Sequence, residues 1–296
     1  MKRLLSKISV FVMSLGLLAA QVPIFPTPTL ASAAPVYTVS RYVTNPSNAY
    51  NWGYAAGQAA TNNSGPADSL VILDFGEPTA TGSLLVNGTS LTTAQIVTYT
   101  ENFLGGFWAG TPSWPHVTVA IGTNNCGSNV TNATGQAWGN SVNAVNAYIA
   151  SAGFTSQETA IGANDMEIDW NTASTTRNWV DGYNSTANYR LYDYGDDAGG
   201  LYPGNGWTAN DVWYVAYGAP KNWPVPEIYN SNCATLDWGP MNQWAVANKS
   251  AAINFMGTLT EYAADSSTFT PSQGWTALSN ATGQAMTYST DITWAN

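Results

Sequence analysis

Ser69-Leu70-Val71-Ile72-Leu73-Asp74-Phe75 is a short apolar run that stops at Gly76. Its length suits one strand, and its lack of polar alternation suits a strand covered on both faces, as in a parallel sheet flanked by helices. Residues 116–122, from His116 to Gly122, read the same way. Between the two runs Ile96, Tyr99, Phe103 and Phe107 recur at intervals of three, four and four, which places them on one face of a helix. Trp138, Val142, Val145 and Ile149 form the next apolar stripe, and Gly153 is placed to end that helix.

The alternation extends in both directions. Upstream, 36–43 is β-rich, and 48–60 carries small and aromatic residues at helical spacing. Downstream, the pattern predicts strands near 165–170, 189–193, 211–218, 225–230 and 253–259, with helices near 175–183 and 240–249. Roughly eight strands separated by helices or crossover-length loops call for a parallel α/β sheet, and this length favours a closed (β/α)8 TIM-like barrel. An open doubly wound sheet is the alternative. No Gly-x-Gly-x-x-Gly or Walker-type loop follows a strand, so the usual nucleotide sites of that alternative are missing.

The N-terminus reads as an export signal. Lys2, Arg3 and Lys7 precede an apolar run too short to span a bilayer, and Ala31-Ser32-Ala33-Ala34 has the small-x-small form of a cleavage site. Cleavage after Ala33, or after Ala34, makes 1–33 a signal peptide and 34–296 a single secreted, extracellular domain with no membrane contact. The remaining basic residues are Arg41, Arg177, Arg190, Lys221 and Lys249, against eighteen acidic ones, a net charge of −13. Such a surface offers nucleic acid no basic stripe. In an oxidising compartment Cys126 and Cys233 are expected to pair as a disulfide. Two cysteines and the single His116 do not furnish the usual thiolate and imidazole set of a metal site, and nothing calls for a cofactor.

Chemistry concentrates in Asn164-Asp165-Met166-Glu167-Ile168-Asp169-Trp170. On a strand, Asp165, Glu167 and Asp169 share one face, with Met166, Ile168 and Trp170 on the other. Three carboxylates are tolerable in a barrel only at its open C-terminal end, and crowding there raises the proton affinity of at least one. Asp74 closes an apolar strand and reaches the same mouth. Glu227 and Tyr229 share a face of 225–230 and can oppose Glu167 across the opening. Tyr192, Asp193 and Tyr217 end further strands, while Trp170 and Trp223, with Trp213 and Trp244, are candidates to stack on sugar rings. Asp193-Tyr194-Gly195-Asp196-Asp197 is no complete calcium loop.

An aspartate closing an early strand, with Asp-x-Glu on a central one, resembles the glycoside hydrolase family 25 lysozyme-like barrels. The resemblance implies Glu167 as proton donor, with Asp165 and Asp74 as its acidic companions. The chain departs from that pattern in a strand–helix unit before Asp74 and in Asp169, which extends the motif. The expectation is a glycoside hydrolase acting on polysaccharide or peptidoglycan, with one of Asp165, Asp169, Asp74 or Glu227 as nucleophile, base or electrostatic stabiliser. A non-catalytic carbohydrate-binding or cell-surface barrel is the alternative.

Overall fold

The computed structural model describes residues 34–62, 68–112 and 114–295. The signal-peptide reading of 1–33 lies outside these residues. Among them, no helix is long and apolar enough to cross a membrane.

The chain runs β1 (Thr38–Val43), α1 (Ala49–Asn62), β2 (Asp68–Asp74), a three-stranded antiparallel flap of β3 (Glu77–Thr79), β4 (Gly82–Leu84) and β5 (Ser90–Thr92), then α2 (Thr93–Gly110). It continues with β6 (His116–Asn124), α3 (Asn132–Ala152), β7 (Glu158–Asp165), α4 (Ala173–Thr186) and β8 (Leu191–Asp193). The last third holds α5 (Ala209–Trp213), β9 (Asn222–Pro224), α6 (Gly239–Lys249), β10 (Gly257–Thr260), α7 (Pro271–Thr282) and β11 (Tyr288–Ala295). The eight parallel strands lie in the order β10, β11, β1, β2, β6, β7, β8, β9, each paired with its neighbours in that order. A parallel bridge between Glu227 and Leu259 closes the seam between the β9 segment and β10. The result is the (β/α)8 barrel that the alternation called for.

Strand pleating sorts the core into two shells. Leu70 and Ile72 of β2 join Ala120, Ile161, Ala163, Tyr192, Val225, Leu259 and Ile292 in the lumen. The intervening Val71 and Leu73 pack outward with the helices. Helix starts are fixed by side chains that take up orphan N–H groups: Thr92 with Gln95 for α2, Thr131 with Thr134 for α3, Thr270 with Gln273 for α7. Gly153 ends α3 in the left-handed region at φ 78°, as its sequence position suggested. Glycine also sets helix spacing. A Cβ on Gly53 of α1 would sit 1.9 Å from the Phe103 carbonyl of α2, and one on Gly106 of α2 would sit 2.1 Å from the Tyr50 carbonyl of α1.

Three expectations need correction. Strand β7 covers 158–165 and ends where the 165–170 strand was expected to begin. Its ladder to β8 ends at the Asn164–Asp193 pairing, beyond which Gly195 lies directly against the Met166 backbone. Residues 211–218 are helical rather than extended: Thr208 and Asp211 form a capping box that starts α5, and a π-helical turn carries it to Gly218. The eighth strand is β11, preceded by α7, neither of which the sequence reading anticipated.

Candidate active site

The inward face of each strand changes character at its C-terminal end. Leu70, Ile72 and Asp74 alternate onto one side of β2, and Ile161, Ala163 and Asp165 onto one side of β7. Register places Tyr42 beside Asp74 and beside Trp294, and Asn124 beside Asp165. Together with Glu261 these side chains line a cleft of ≈ 570 Å³, walled on one flank by Leu84, Leu85 and Val86 of the flap. A second hollow of ≈ 230 Å³ adds Glu167, Asp196, Glu227 and Tyr229, and shares Tyr42, Asp165, Trp170 and Glu261 with the first. The two form one continuous groove across the barrel mouth, and neither lining includes a lysine, arginine or histidine.

Asp165, Glu167 and Glu227 meet in this groove, each offering a carboxylate oxygen within 4.8 Å of the others. Asp165 comes from the end of β7 and Glu227 from the chain beyond β9. Glu167 arrives from the turn after β7, not from a strand. A reciprocal clamp holds that turn: Asn125 Nδ2 donates to the Glu167 carbonyl at 2.9 Å, and the Glu167 N–H donates to Asn125 Oδ1 at 3.0 Å. Met166 and Ile168 are buried in the outer core and act as anchors. The Glu167 side chain in turn accepts the Asp196 N–H at 2.8 Å through Oε1.

Burial dominates the electrostatics. It pushes the Glu167 carboxyl up to about 7, with the charges of Asp196 and Asp169 adding to the effect and the Asp196 N–H opposing it. Asp165 and Glu227 are raised well above the usual carboxylate range, first by burial and then by their negative neighbours. Asp165 Oδ1 and Glu227 Oε1 have no hydrogen-bond partner. Burial also lifts Asp74 to about 6 and Asp193 to about 8. With no facing cation, the carboxyls at this mouth do not all ionise at neutral pH, because that would place like charges in a low-dielectric pocket.

The anticipated residues divide into groups. Glu167, Asp165, Glu227, Asp74, Tyr229 and Trp170 line the groove. Asp193 is buried beneath it, where its carboxylate caps the Gly195 N–H at 3.2 Å and feels the charge of Glu167. Asp169 is exposed outside the cluster, because the backbone has left the strand before reaching it. Tyr192 points to the opposite end of the barrel, lining a hollow there with Thr118, Thr159 and Tyr288. Trp223 stacks under Arg190 and meets Tyr217 edge-on at 5.6 Å, so this pair lies away from the groove as well. Parity explains the error at Tyr192: β8 is so short that its inward residues are Tyr192 low in the lumen and Tyr194 at the mouth, whose hydroxyl donates to the Thr123 carbonyl.

The expected Cys126–Cys233 disulfide does not form, and both thiols are free. Cys126 follows β6 and lines the groove beside Glu77, whereas Cys233 is buried beyond β9 near Asp196 and Asp237. Strands three places apart around the barrel keep them on different sides of the mouth.

Several groove residues were not read from the sequence. Glu261 extends the inward face of β10 and accepts the Tyr42 hydroxyl, with Tyr229 also in hydrogen-bond reach. The signal was available in Thr258-Leu259-Thr260-Glu261, a strand ending in an acid exactly as β2 does. Asn125 carried no such signal, since its role depends on a turn 42 residues away. No known protein family matches this chain, and no curated protein matches it.

Proposed function

We propose that the protein is a secreted glycoside hydrolase acting on extracellular or cell-wall polysaccharide, with Glu167 as general acid. One observation carries the reading: Asp165, Glu167 and Glu227 converge within 4.8 Å in an open groove at the C-terminal mouth of a (β/α)8 barrel. Active sites of this architecture lie at that end. A groove walled by carboxyls and free of cations suits a transition state that develops positive charge on a sugar ring. Trp170 and Trp294 are 43% and 49% exposed along the groove and offer apolar faces to sugar rings.

The separation favours a double displacement. Carboxyl groups about 5–5.5 Å apart serve retention, whereas inversion needs about 6.5–9.5 Å to admit water between them. Glu167 gives its proton to the glycosidic oxygen while Glu227, after releasing its own proton to solvent, attacks the anomeric carbon, breaking the bond to the leaving group and forming a glycosyl ester. Glu167, now ionised, takes a proton from water as the hydroxide equivalent attacks the same carbon and frees Glu227. Asp165, with a carboxylate oxygen within 4.8 Å of both, adds negative charge beside the ring as positive charge develops on it.

Glu167→Gln preserves shape but has no transferable proton. Turnover on a glycan cleaved by the wild type, found by screening peptidoglycan and polysaccharides, should fall roughly a hundredfold or more while binding persists. Full activity in this variant would remove Glu167 from the mechanism. A wild type that binds several glycans and cleaves none would make the barrel a carbohydrate-binding protein.

A further inference from the structure

Beyond the groove, on the far side of the Asp196 peptide, lies a second cluster. The loop after β8 and the π-helical segment Cys233–Trp238 face one another there. Asp196, Cys233 and Asp237 each offer a donor atom, all within 4.8 Å of one another. Cys233 and Asp237 are four residues apart, about one turn, and so present to the same side. The cluster is bordered by Asp197, which is 1% exposed and whose two carboxylate oxygens both lack a hydrogen-bond partner. The charges it feels most strongly are those of Asp237 and then Asp196, which puts its carboxylate against the same cluster. Asp196 Oδ1 is likewise buried without a partner.

A buried carboxylate with two empty oxygens costs several kcal/mol unless something positive meets it. Neither loop supplies a cation of its own: residues 193–200 and 230–238 contain no lysine, arginine or histidine. We propose that Asp196, Asp237 and Cys233, with the buried Asp197 beside them, form a binding site for a thiophilic divalent cation of the zinc class, bridging the loops after β8 and β9. Tetrahedral zinc, with bonds of about 2.0–2.2 Å to oxygen and about 2.3 Å to sulfur, puts its ligand atoms about 3.3–3.7 Å apart. The donor atoms lie within 4.8 Å of one another, so side-chain movement of about 1 Å closes them onto one ion. Carboxylates take the place of the histidines these two loops lack, and the thiol selects a softer ion than calcium. Burial and the charges of Asp196 and Asp237 hold the Cys233 thiol protonated, so binding releases its proton to solvent. The ion would also fix the Asp196 peptide, whose N–H holds Glu167 Oε1. The site stands whether or not the groove hydrolyses glycans.

The test uses the full-length secreted protein, stripped with chelator and titrated with ZnCl₂ and with CoCl₂. One equivalent should bind by calorimetry, the cobalt form should show a thiolate-to-cobalt charge-transfer band in the near ultraviolet, and the melting temperature should rise. Cys233→Ser should abolish the band while Cys126→Ser keeps it. Asp237→Asn, at a half-buried position that tolerates the change, should weaken zinc at least tenfold. Absence of stoichiometric zinc or cobalt binding overturns the proposal. Unchanged affinity in Asp237→Asn does so too, as does stabilisation by CaCl₂ with no response to zinc or cobalt. None of these readouts depends on turnover, so a failure here is distinct from a failure of the glycosidase reading.

Discussion

Glu158 opens β7 at the end of the barrel remote from the groove, and it allows burial of a charge to be tested apart from function. It is 4% exposed, neither carboxylate oxygen has a well-formed hydrogen bond, and burial lifts it from 4.5 to about 8, tempered only by the Trp108 N–H. Between those two values the folded protein keeps a proton that the unfolded chain has released. Stability from this group is therefore complete below about pH 4.5 and is lost as pH rises to about 8. At about 1.4 kcal/mol per pH unit the window sets a ceiling of about 5 kcal/mol. Relaxation around the carboxylate leaves roughly 2–3 kcal/mol. Glu158→Gln has nearly the shape of the protonated acid and cannot ionise. Melting temperatures measured from pH 5 to pH 9 should coincide for the two proteins at the acid end. At pH 8.5 the variant should melt about 5–10 °C higher, taking about 2–4 °C per kcal/mol for a domain near this size. Asp74 and Asp193 tilt both curves in the same sense, so the difference between curves is the diagnostic. Parallel curves across the whole range would refute the argument that Glu158 is buried without compensation.

Two further outcomes follow from packing and exposure. Gly53→Ala puts a methyl group where the Phe103 carbonyl already stands, so α1 and α2 must separate; urea unfolding should show a loss of about 2–3 kcal/mol. A gain in stability, as alanine's helix propensity alone would give, would show that the crossing is looser than 1.9 Å implies. Trp170→Ala removes a half-exposed ring from the groove and should raise the half-saturating glycan concentration about fivefold, worth about 1 kcal/mol, with little change in kcat or melting temperature. A fall in kcat at unchanged KM would place Trp170 in transition-state contact instead.

The barrel was legible in the sequence because its cause is local. Val71 and Leu73 must be covered by helices while Leu70 and Ile72 fill a lumen, so β2 reads as a continuous apolar run with no other use. The stripes of α2 and α3 and the acid at the end of β2 are equally local, and all three were found. The carboxyl cluster was half legible: Asp165, Glu167 and Glu227 were named, but on the premise of a strand that continued to Trp170. Met166 and Ile168 alternate with the acids just as a strand would, and they are buried as a strand's residues would be. Where β7 ends, Gly195 from beyond the next strand packs on the Met166 backbone, a contact made 29 residues downstream. The same holds for Asn125 at Glu167, for Tyr42 at Glu261, and for Cys126 and Cys233, which an oxidising compartment would invite to pair and the barrel's circumference keeps apart. Period and polarity along the chain determined which faces are buried. Which acids meet, and which thiols do not, was decided only when the sheet closed, because closure sets the distances between residues on different strands.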